Sequence, residues 1–178
     1  MYKLIVFFLA IFIFTNCGSQ EMDASEGLKL INAKESSIRD LSKKLKPGEI
    51  VPLNESDELI DLLLSFYRTN PQDQNAPLCL DKVHMIYSST KRHEKSAIYG
   101  DTLLLKYPDY INRLLILESM ANVYDMYIFP RDTSKVRYYN ELLLKENKDI
   151  SKEKREEIQF KLDNLELTIQ EIIMKVNE

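Results

Sequence analysis

The chain has 178 residues, 44% hydrophobic and 29% charged, enough for one compact domain and too few for two comfortable ones. Four glycines and six prolines fall far below the roughly 12% of average usage, which excludes a turn-rich barrel, a collagenous repeat and a flexible low-complexity chain and favours helices. With 24 Lys and Arg against 28 Asp and Glu, a net charge of −4 and a pI near 5.4, the chain lacks the basic excess that neutralising phosphates requires, so nucleic acid is not an expected partner.

After Met1-Tyr2-Lys3, residues 4–14 run apolar without interruption, well short of the roughly 20 that a spanning helix needs. A short basic start before a short apolar core has the layout of a secretory signal. The segment that follows, Phe14-Thr15-Asn16-Cys17-Gly18-Ser19, resembles the lipobox of bacterial lipoproteins. Thr15 fits two places before Cys17 and Gly18-Ser19 fit after it, while Phe14 and Asn16 stand where Leu and a small residue are usual. The resemblance implies a signal peptide over 1–16 and cleavage before Cys17, whose thiol is acylated. The body would then be exported and lipid-anchored, at the outer membrane facing the periplasm. The alternative is an uncleaved amino-terminal anchor. Residues 17–27 read as the lipidated cysteine and a polar tether. Cys79, the only other cysteine, lies in Pro77-Leu78-Cys79-Leu80, where a thiol behaves as a small hydrophobe.

From residue 28 the apolar positions fall at helical spacing. Leu28, Ile31, Ile38, Leu41 and Leu45 predict an amino-terminal helix over 28–46, stopped by Pro47-Gly48. Leu59, Ile60, Leu62, Leu63, Phe66 and Tyr67 form a wide apolar face that ends at Asn70-Pro71. Further helices are predicted over 78–87, opened by Pro77, over 94–107, broken by Pro108, over 111–127 and over 134–146. Short connections make consecutive helices antiparallel hairpins.

The hairpins repeat. A period of 37 carries Pro71 onto Pro108, Leu80 onto Leu117, Val83 onto Met120 and Tyr87 onto Tyr124; the following helix is matched at 39, with Tyr99 on Tyr138 and Leu103-Leu104-Leu105-Lys106 on Leu142-Leu143-Leu144-Lys145. Over 56–149 this resembles the tetratricopeptide repeat, two antiparallel helices of about 34 residues. The stretch from His93 to Gly100 and the Lys106-Tyr107-Pro108-Asp109 end look like its second helix and terminal proline, and Ser96, Gly100 and Ala121 occupy its small-residue crossings. His84 and Lys135 depart from the small-residue pattern. The whole layout looks like small tetratricopeptide lipoproteins of the Bacteroidetes envelope.

The last segment, 150–178, carries Ile158, Leu162, Leu165, Ile169, Ile172 and Val176 in heptad steps, interrupted by the capping-box sequence Thr168-Ile169-Gln170-Glu171. It is expected to form a capping pair of helices over the open end of the stack, with a self-associating coiled coil as the alternative. The predicted fold is therefore all-α: antiparallel helix-hairpin repeats, a tetratricopeptide-like solenoid over 28–149, with capping helices at both ends.

Chemistry-bearing motifs are sparse. Two histidines, His84 and His93, come without HExxH or paired cysteines, and no Gly-rich phosphate loop or GxSxG is present. No catalytic, cofactor or metal residues are assigned, and no cofactor is expected. The resemblance instead implies a concave groove on Leu78, Asp81, Met85, Ser88, Leu115, Glu118, Asn122 and Asp125. Three of these are acidic and none basic, which suits a protein or peptide partner bearing Lys or Arg. The expected role is a non-enzymatic, membrane-anchored interaction scaffold. The alternatives are a structural homo-oligomer through the heptad segment and an envelope hydrolase using a carboxylate pair.

Overall fold

Apolar residues three and four apart drive residues 23–176, the part of the chain that the computed structural model describes, into eight helices without a strand among them. These are α1 (Ala24–Ser42), α2 (Leu53–Thr69), α3 (Ala76–Ser89), α4 (His93–Lys106), α5 (Arg113–Met126), α6 (Thr133–Glu146), α7 (Lys152–Asp163) and α8 (Ile169–Val176). The expected signal peptide, Cys17 and the start of the tether lie outside the described residues. None of the described helices is long and apolar enough to cross a membrane. α1 begins at Ala24 rather than 28, and Gly27, read from sequence as tether, is buried in it. The helix stops at Ser42, before Pro47.

From α1 to α7, each helix packs chiefly on its neighbours in the chain, the arrangement of a stack built by adding hairpins. One core runs through all seven, with Leu63, Phe66, Leu80, Leu103, Leu117 and Met120 fully buried. Burying each of these stabilises the fold by about 1.5–3 kcal/mol.

The 37-residue period is a structural identity. It relates Leu80, Val83 and His84 of α3 to Leu117, Met120 and Ala121 of α5, all buried. It also relates Ile60, Leu63 and Phe66 of α2 to Ala97, Gly100 and Leu103 of α4, again all buried. The corners match bond for bond. Asp73 N donates to Asn70 O and Ala76 N to Asp73 O, as Tyr110 N donates to Tyr107 O and Arg113 N to Tyr110 O. Pro71 and Pro108 therefore turn equivalent corners.

The second helices follow a different offset from the expected 39. The N-caps Arg92 and Asp132, and the C-caps Tyr107 and Asn147, are each 40 apart. Buried Ser96, Gly100 and Leu103 correspond to buried Val136, Asn140 and Leu143. Tyr138 and Leu142, the partners assigned at 39, are instead more exposed. Stacked tyrosines show the same offset: Tyr87 lies on Tyr99 at 5.6 Å and Tyr124 on Tyr139 at 5.8 Å, with Lys95 over Tyr87 and Lys135 over Tyr124. Lys135 is thus the counterpart of Lys95 and does not replace a small residue. Three extra residues sit in the α5–α6 connection, which runs 127–132 where the α3–α4 connection runs 90–92. The Leu-Leu-Leu-Lys identity misled because three consecutive leucines cannot report which of them faces inward.

Gly100 is where the crossing is tightest. A Cβ there would lie 2.2 Å from Met120 Sδ and 3.1 Å from His84 Nδ1. The bulky His84 is accommodated because glycine faces it.

At the carboxyl end α7 stops at Asp163 and α8 starts at Ile169. Between them Thr168 Oγ1 accepts from Glu171 N at 3.3 Å, and the Glu171 carboxylate accepts from Thr168 N at 2.7 Å, a complete capping box. Those bonds hold the Glu171 carboxyl below its ordinary range. Ile158, Leu162 and Leu165, the first half of the heptad seam, are buried within the chain.

Candidate functional site

Side chains link α1 to α3, α3 to α5 and α5 to α7, and the eight groove positions expected from the resemblance divide between the open surface and these joints. Leu78, Met85 and Leu115 are exposed, Met85 and Leu115 by 62% and 64%. Ser88 is half-buried. The three acidic residues are engaged by the next element along the stack. Asp81 is buried and accepts from Tyr110 Oη at 2.7 Å. Burial and that carboxylate push the Tyr110 phenol well above its ordinary range. Glu118 pairs with Lys154 of α7 at 2.9 Å. Asp125 pairs with Arg131 at 2.7 Å and with Lys161 of α7 at 3.1 Å. Half-buried Asn122 also faces Lys161. At Glu118 and Asp125 the basic side chains expected from a partner are thus supplied by the chain itself. Hydrogen bonding to Glu118 in turn raises the Lys154 ammonium above its usual range.

The surface that remains open lies at the other joint. Glu35 of α1 pairs with Lys82 of α3, and beyond that bridge α1 and α3 part. The gap between them is an apolar cleft of about 580 Å³ floored by Ile38, Leu59 and Ile86 and walled by Ile50, Val51 and Leu53. It continues past Met85 into a shallower space of about 320 Å³ that reaches Arg39. Ile50 and Leu53 are 78% and 52% exposed. The segment 43–52 supplies Ile50 and hands the chain to Leu53, the first residue of α2: it leaves α1 without helical periodicity, turns at Gly48 with φ +90 and caps the next helix with Pro52. The rim bears Arg39 and Lys91, both exposed, and neither is within 4 Å of a carboxylate among the described ion pairs. Exposed apolar surface rimmed by unpaired charge is the usual makeup of a contact site.

Sequence reasoning reached Met85 and missed Ile38, Ile50, Leu53 and Leu59 as site residues. Only one signal was available: Ile50-Val51 sits between Pro47-Gly48 and Pro52, an apolar pair in a loop that no helix period requires.

The titratable groups elsewhere serve packing. His84 is 1% exposed. Ser96 Oγ donates to His84 O at 3.0 Å, which leaves Ser96 O and Oγ to accept from Nδ1–H at 2.9 Å and Nε2 to accept from Ser119 Oγ at 2.8 Å. Burial holds this imidazole below its ordinary pKa, keeping it neutral. Asp101 accepts from Tyr124 Oη at 2.8 Å, from Tyr139 Oη and from Lys135 at 3.3 Å. Cys79 is buried, and desolvation pushes its thiol up to about 11. Among the described residues no group of three or more His, Cys, Asp or Glu is placed to hold a metal ion. Compared with known protein families, with curated proteins and with solved structures, the chain finds no match.

Proposed function

We propose that this chain is a non-enzymatic interaction scaffold of the tetratricopeptide type, exported and held at the bacterial envelope by lipid on Cys17, and that its partner docks in the cleft between α1, α2 and α3. The observation that carries the reading is the open apolar cleft bordered by Met85, Ile50 and Leu53. Repetition of the hairpin at 37 and 40 residues, with a glycine at the tight crossing, supports the repeat assignment. The partner is a protein segment with two or three apolar side chains and acidic flanks. Arg39 and Lys91 favour carboxylates, and the acidic positions that would attract lysine are already paired internally.

A photo-crosslinking side chain at Ser89, beside the cleft, tests this in the native envelope. It should capture one partner, and Met85→Glu or Leu53→Asp should abolish capture while the helical circular dichroism stays unchanged, since both residues are exposed. Arg39→Glu should weaken capture, more so at low salt. Capture indifferent to all three substitutions would remove the cleft as the docking site.

A further inference from the structure

The stack has two ends, and the way α1 is set into it decides which can approach a membrane. Glu35 meets Lys82, and Ile38 and Arg39 line the same space as Met85 and Ile86. Both pairings are offset by 47, so α1 runs parallel to α3. At that offset the first turns of α1 lie beside the start of α3, at the Pro71 corner. Tyr107 Oη donates to Pro71 O at 2.7 Å, tying the second corner to the first. The end that carries Asp23 is therefore the end of the proline corners, and the cleft at Ile50 and Leu53 belongs to the other.

Each end exposes apolar side chains, so composition alone does not choose between them. At the corner end Ile111 is 91% exposed and Leu105 is 82% exposed. At the far end stand Ile50 and Phe129. Tether length does choose. Cys17 and Asp23 are six residues apart, a span of at most about 21 Å whatever its conformation. The 17-residue α2 separates the two ends by about 25 Å. With α2 standing upright on the bilayer, a chain anchored through Cys17 cannot lower Ile50 to it, because Asp23 would then have to stand farther from the surface than its tether reaches. Ile111 and Leu105 are under no such restriction. Beside them Lys106, Lys145 and Lys148 are exposed; Lys106 lies over the Tyr67 ring, and Lys145 and Lys148 belong to no described ion pair, which suits them to the headgroup layer.

We infer that the proline-corner end is a membrane-contact surface: Ile111 and Leu105 enter the interface of a lipid bilayer and the partner cleft is thereby pointed away from it. The inference rests on anchoring at Cys17.

The test uses the full lipidated chain in phosphatidylcholine vesicles containing doxyl-labelled lipid, with an NBD label on Ile111→Cys in one sample and on Ile50→Cys in another. Cys79 is buried with its thiol pushed up to about 11, so the introduced cysteine labels selectively. The label at 111 should emit to the blue and be quenched by the doxyl lipid, and the label at 50 should do neither. Leu105→Asp in the Ile111→Cys chain should reduce the quenching while leaving the protein anchored. Quenching at 50, equal quenching at both positions, or none at 111 in an anchored protein overturns the inference. So does a blue shift at 111 that disappears when the protein is diluted on the vesicle, which would assign the patch to a second copy of the chain. Cys17→Ser separates this from the anchoring itself: unchanged membrane retention refutes the lipid anchor, and with it the tether limit.

Discussion

Gly100→Ala is the substitution that most directly interrogates how the hairpins are joined. On an isolated helix it would gain about 1 kcal/mol, the difference in propensity between the two residues. Here the added methyl would sit 2.2 Å from Met120 Sδ and 3.1 Å from His84 Nδ1. His84 cannot retreat, because both its ring nitrogens are hydrogen-bonded to Ser96 and Ser119. Met120 is fully buried and must change rotamer inside a packed core. Overpacking of this kind costs about 1–3 kcal/mol, so the net expectation after the propensity gain is a loss of up to about 2 kcal/mol. In a chain of this size that lowers the melting temperature by up to about 8 °C. Urea denaturation followed by circular dichroism measures it. Met120→Ala alone should cost about 2–5 kcal/mol, and the double variant should cost less than the sum by at least about 1 kcal/mol, because the methyl enters the space the thioether vacates. Additive effects, or a Gly100→Ala chain more stable than the parent, would refute the close crossing and the hairpin register built on it.

Three further outcomes follow from individual contacts. Lys91 adopts φ +59 one residue after the α3 C-cap, while Arg92 N donates to Tyr87 O and Lys91 N to Ser88 O, a Schellman ending; Lys91→Gly should raise stability by about 1 kcal/mol in denaturant titration. His84 is held below its ordinary pKa of 6.5 chiefly by burial, so below that pH the unfolded chain binds a proton that the folded chain refuses. Its contribution is complete above about pH 6.5 and declines as the pH falls, and the corresponding slope in a stability-against-pH series should be missing from His84→Gln. Tyr110→Phe removes the hydroxyl that satisfies one oxygen of buried Asp81 and should cost about 1–3 kcal/mol by thermal denaturation, a loss largely absent when Asp81→Leu is also present.

The local code for helices was legible in sequence because it depends on residues within a few positions of one another. Pro77 in the first turn of α3 and the Thr168 and Glu171 capping box read directly from the chain, whereas the Asp132 cap that starts α6 two residues before the expected Ser134 did not. So did the 37-residue period, since the α3–α4 and α4–α5 connections are fixed by turns whose hydrogen bonds lie within the turn itself. The 40-residue offset, the engagement of Asp81, Glu118 and Asp125, and the cleft at Ile38 and Leu59 depend on how far one helix stands from another. The repeat resemblance marked the acidic residues as groove positions; stacking α7 and the next corner against them made them joints. A sequence states which side chains share a helix face. Whether that face meets water, a partner or the following helix is settled only when the stack assembles, because burial and pairing are properties of the space between elements.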